Sequence, residues 1–141
     1  MSNFSDIVAG LKTVLETNIS GLKAFDYPTD SVNSFPCAVI LPTNVIDYEV
    51  VIGANTFESE LRVVLLVASG DDADGFRKLW DFIDPTDATN SVRRAVRVDR
   101  TLNGKADDAD VSRAENIGRR ELWGGFYFGA DFIVPFIKSV A

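Results

Sequence analysis

The stretch GGFYFGADFIVPFIKS, residues 124–139, places Phe126, Phe128, Ala130, Phe132, Val134 and Phe136 at every second position. In an extended chain, alternate side chains point the same way, so these six share one face of a strand. Such an aromatic face must lie against another apolar layer. Ten Phe, three Tyr and two Trp in 141 residues supply the material for a sheet packed by helices rather than a polar bundle.

A second strand reads from TFESELRVVLLVAS, residues 56–69. Phe57, Ser59, Leu61, Val63, Leu65 and Val67 share one face. Glu58, Glu60 and Arg62 share the other, which turns apolar at Val64 and Leu66. The strand should therefore start half exposed and end covered on both faces. With DYEVVI (47–52) and the turn GAN it forms a hairpin. PCAVILP, bounded by Pro36 and Pro42, reads as a separate short buried strand, and SRAENIG as another before the last one.

Helices punctuate these strands. Phe4, Ile7, Val8, Leu11, Val14 and Leu15 recur at helical spacing, with Ser2, Asn3 or Ser5 as N-cap. Gly21 and DYPTDS end that helix in a loop. Ala73, Phe76, Leu79, Trp80 and Ile83 trace a second helix ending before Pro85. A short third starts at Ser91, with Val92, Ala95 and Val96 inward and Arg93, Arg94 and Arg97 outward. The polar stretch DRTLNGKADDADVS is expected to be mobile. The order predicts one α+β domain over residues 1–141: a mostly antiparallel mixed sheet packed by an N-terminal helix and one or two central helices.

Residue usage narrows the chemistry. Histidine is absent, which removes an imidazole base, Ser-His-Asp and Cys-His pairs, and histidine-based metal sites. The glycines match neither a P-loop nor a dinucleotide fingerprint. No catalytic residue, metal ligand or cofactor site is assigned, and the expectation is a protein that is not an enzyme. The lone Cys37, in FPCAVIL, reads as a buried hydrophobe. A net charge of -7 argues against wrapping nucleic acid. The opening MSNFSDIVAGL lacks the basic start and apolar segment of a signal peptide, and no run of about 18 apolar residues suggests a membrane span. The cell interior, or a particle assembled there, is the expected location.

DDAD occurs twice, at 71–74 and 107–110. If Gly75 stood at the sixth position of a calcium loop, Gly70 would occupy the first and Asp81 the twelfth, a poor ligand set. Asp71 or Asp72 as a helix cap is the simpler account. Arg93, Arg94, Arg97 and Arg100 form a basic stripe, and Arg113, Arg119 and Arg120 a second group. Two readings stand open: surface charges paired within the chain, or one subunit's arginines meeting Asp107, Asp108 and Asp110 of the next. Trp123, before Gly124-Gly125, and Tyr127 are the aromatic contact candidates.

The sequence of elements resembles the tail terminator (tail completion) proteins of long-tailed bacteriophages. The resemblance spans nearly the whole chain. It is carried by an amphipathic first helix, the FPCAVIL strand, the long apolar strand in ESELRVVLLVAS, the aromatic helix FRKLWDFIDP, the small SVRRAV helix and the FYFGADFIVPF ending. It implies a homo-oligomer, a hexameric ring, that caps the tail tube and joins it to the head–tail connector in the neck. Viral DNA would pass through the centre without sequence-specific binding. The partners implied are the major tail (tube) protein and the connector, the place of assembly is the host cytoplasm, and no membrane or cofactor is involved. Another neck component (head closure or adaptor) or a small ligand-binding domain are the alternatives.

Overall fold

The computed structural model describes residues 3–27, 35–48, 56–67, 72–122 and 125–139. Helix α1 (Phe4–Asn18) is followed by strands β1 (Lys23–Phe25), β2 (Cys37–Tyr48) and β3 (Thr56–Val67). Helices α2 (Asp72–Ile83) and α3 (Val92–Val98) come next, then β4 (Asp108–Ala109), β5 (Arg113–Leu122) and β6 (Gly125–Ser139). Over the described residues this is an α+β fold: three helices against one curled, mostly antiparallel six-stranded sheet.

α1 starts where a capping box fixes it. The Asn3 side chain accepts from the Asp6 amide, and the Asp6 carboxylate accepts from the Asn3 amide. Its stripe buries Ile7, Leu11, Val14 and Leu15, each contributing about 1.5–3 kcal/mol. Near its start, Phe4 packs on Phe57 of β3 and Phe136 of β6, with ring centroids 5.5 and 5.7 Å apart.

The sheet runs β1-β2-β3-β6-β4, and β5 also pairs with β6. Among the described strand pairs only β1–β2 is parallel. β4 and β5 lie along the same side of β6, so residues 107–122 form one interrupted edge column; the amides of Asp110 and Ser112 continue it by donating to Pro135 and Ile133. β3 and β6 are the central pair, in register from Thr56↔Ser139 to Val67↔Phe128. Their alternate residues Leu61, Val63, Leu65, Phe128, Ala130, Phe132, Val134 and Phe136 face the helices in the main core. A smaller cluster of Cys37, Val64 and Leu66, flanked by Phe25, Phe35, Leu41 and Tyr127, lies on the other face.

Several expectations change. PCAVILP and the start of DYEVVI belong to one strand, β2, with a register shift between Pro42 and Ile46; the GAN turn lies outside the described residues. β1 reads as loop in the sequence. It is a three-residue edge whose Ala24 amide donates to the Glu16 carboxylate. β5 runs on beyond SRAENIG to Leu122 through a bulge between Glu115 and Gly118. Of the apolar residues that trace α2 in the sequence, Leu79 is buried and Phe76 and Ile83 pack against the core, but Trp80 is 52% exposed, and Gly75 and Phe82 are buried as well.

The segment expected to be mobile is packed. Leu102 is fully buried, held in a turn where Leu102, Asn103 and Gly104 all take positive φ (51°, 61° and 79°). The Asp99 carboxylate accepts from the Thr101 and Asn103 amides and the Thr101 hydroxyl, which fixes this otherwise disfavoured backbone. Gly10 of α1 gives the turn its seat: a Cβ there would stand 2.1 Å from the Leu102 carbonyl oxygen.

Candidate subunit interface

α3 delivers the first arginine group to the edge column. Ser91 caps the helix, its hydroxyl accepting from the Arg94 amide. Val92, Ala95 and Val96 face inward as the period requires. Arg97 then makes a two-pronged contact with Asp110, Nε and Nη2 lying 3.2 and 3.0 Å from its two oxygens. Arg100 grips Asp108 the same way at 2.9 and 3.0 Å, and Arg93 stands 4.0 Å from Asp110. Burial opposes ionisation of Asp110, but Arg97 and the Val111 amide hold its carboxyl below the usual range. Asp107 turns the other way. It accepts from the Ser139 amide and hydroxyl and pairs with Lys138, and Ser139 is the chief reason its carboxyl is held low.

Thus the acidic loop and the basic helix meet within one chain. Any contact between copies that uses Arg93, Arg97, Asp108 or Asp110 starts from groups already paired. Arg94 differs from the outward residue expected: its Nη2 donates to the carbonyls of Asn18 and Thr89, which ties the end of α1 to the loop before α3.

The second arginine group surrounds a carboxylate that the sequence reading passed over. Asp131, in the middle of β6, is 4% exposed. Arg62 Nη1 of β3 lies 2.7 Å from Oδ2, Arg120 Nη2 of β5 lies 2.7 Å from Oδ1, and Asn116 Nδ2 donates to Oδ2 at 3.0 Å. The β5 bulge brings Asn116 there, with positive φ at Asn116 (54°) and Gly118 (147°). Burial alone would raise the Asp131 pKa; Arg120, Asn116 and Arg62 outweigh it and hold it low. Glu115 extends the network to Arg62 and Arg113 at 3.0 and 3.1 Å. Arg120, an interface candidate in the sequence, forms part of a clamp across three strands. Arg119 stands over the Phe128 ring on the opposite face, 5.8 Å from its centre.

Tyr127 stacks on Phe35, with centroids 5.1 Å apart, and helps close the smaller cluster. Trp123 and Asp71 lie outside the described residues. Among those described, no three His, Cys, Asp or Glu side chains gather to hold a metal, and no helix is long and apolar enough to cross a membrane. No protein-family model and no curated protein sequence matches the chain.

Proposed function

We propose that this chain is the tail terminator of a long-tailed bacteriophage: a non-enzymatic subunit of a ring that caps the tail tube, joins it to the neck and lets DNA pass through its centre. The observation that carries this reading is the order of elements. An amphipathic helix, the FPCAVIL strand, a long apolar strand, an aromatic helix, the SVRRAV helix and the aromatic-glycine-alanine strand follow in the order the resemblance requires, and they fold into one sheet with its helices on one side. The net charge of -7 suits a channel wall that must not retain a polyanion.

Light scattering on the purified protein at low and high concentration, with and without tail tubes, tests the proposal. A closed hexameric ring, or a monomer that forms a ring on tubes, is the expected result. A strict monomer indifferent to tubes overturns it. A ring that binds only the connector moves the chain to another level of the neck.

A further inference from the structure

On the sheet face away from the helices, the end of the central strand pair forms a groove of about 330 Å³. Its rows follow from the register. Glu58, Ile137 and Asp108 stand side by side across β3, β6 and β4, and Glu60 faces Pro135 in the next row. Ile137 and Pro135 make an apolar floor between acidic walls. Arg100 also lines the groove, but both prongs of its guanidinium are taken by Asp108. Glu58 makes no ion pair with any described residue.

Across the sheet, α2 presents the complementary chemistry. Trp80 is half exposed and Arg77 is exposed, and Arg77 makes no ion pair with any described residue. The two are three positions apart, so they sit on one side of the helix with their Cβ atoms about 5–6 Å apart. Glu58 and Ile137 are direct cross-strand partners, with Cβ atoms about 4.5–5.5 Å apart. A cation beside an aromatic ring on one surface therefore matches, in kind and in spacing, a carboxylate beside an apolar floor on the other. Trp and Arg are also the side chains most enriched among residues that dominate binding energy.

We propose that this groove receives α2 of a second copy of the chain, with Trp80 seated on Ile137 and Pro135 and Arg77 facing Glu58. α2 packs Leu79 into the core on one side of the sheet, and the groove opens on the other. One chain cannot satisfy itself, and each copy offers both halves. Made once per interface, from the groove of one copy to α2 of the next, the contact is heterologous, the kind that closes rings. This assignment rests on the ring reading above and names the surfaces that build it.

The test is light scattering across a concentration series, with and without tail tubes, on the wild type, Trp80→Ala, Arg77→Glu, Glu58→Arg and the Arg77→Glu/Glu58→Arg swap. Circular dichroism checks that each variant is folded. Each single variant should raise the concentration for half-assembly at least about tenfold, since like charges replace an attractive pair or an anchor is lost. The swap should restore assembly. Wild type and single variants that form rings equally well overturn the contact and leave the ring reading standing. Single-variant losses that the swap fails to repair also overturn the Arg77–Glu58 pairing. A wild type that stays monomeric throughout overturns both.

Discussion

Arg62 Nη1 lies 2.7 Å from Asp131 Oδ2, joining neighbouring central strands on the face away from the described helices. With Arg120 on the other oxygen, two cations depend on one nearly buried carboxylate. Removing it leaves both without their main counter-charge. Asp131→Ala should cost about 3–5 kcal/mol in urea unfolding. The Asp131 pKa is depressed in the folded state, so its stabilising share is present above about pH 4 and is lost as pH falls through the folded value. Asp131→Asn should therefore show a smaller loss of stability than wild type between pH 6 and pH 2.5. Equal losses would mean that the clamp contributes nothing.

Gly10 faces a sharper test, because two effects oppose. Alanine gains about 1 kcal/mol in helix propensity. Its Cβ would meet the backbone oxygen of Leu102 at 2.1 Å, a group that cannot swing aside as a side-chain tip would. Overpacking should win, with Gly10→Ala less stable by about 1–3 kcal/mol. A stabilised variant would show that the 101–104 turn is not seated on α1.

The turn and the edge column behind it make a prediction about exchange. The amides of Asp107, Asp110 and Ser112 donate to the carbonyls of Ile137, Pro135 and Ile133, so their hydrogens should be protected in the isolated protein. Leu102→Ala, which removes the buried anchor, should cost about 2–5 kcal/mol and lower that protection. Exchange at the unstructured rate in the wild type would return this segment to the mobile arm expected from its composition.

Cys37 sets an alkaline limit. Burial pushes its thiol up to about 11, above the ordinary thiol range. A raised folded pKa gives stability that is complete below the unfolded value and is lost as pH climbs toward the folded one. Between pH 7 and 10.5 the wild type should lose about 2 kcal/mol more than Cys37→Ala, read from urea midpoints at both pH values.

The strongly periodic elements were legible in the sequence. α3 shows Val92, Ala95 and Val96 inward, and β6 turns Phe128, Phe132 and Phe136 to the core. What stayed hidden lacked a local pattern. Asp131 sits at an outward position beside Ala130 and Phe132 and reads as surface, because one partner, Arg62, is 69 residues away. A single leucine in a polar run does not announce a core anchor, although Asp99 two residues before Thr101 was a turn signal that could have been used. α2 carries apolar side chains at 76, 79, 80, 82 and 83, which allow two phases of the same period; the sheet beneath selects the one that leaves Trp80 outside. β1 is too short to show any alternation, and part of what holds it, the Glu16 carboxylate on its Ala24 amide, lies outside the strand.

The central place of β6 has a consequence during synthesis on the ribosome. β3 ends at Val67, and the strand that covers its free side begins only at Gly125. At about 5–20 residues per second, translation leaves roughly 3–12 s in which β3, with Leu61, Val63 and Leu65 on one face, has no partner on that side. A nascent chain with an apolar strand open for that long is a client for holding chaperones. The yield of this protein in the cell should therefore respond to their supply more than its finished stability suggests.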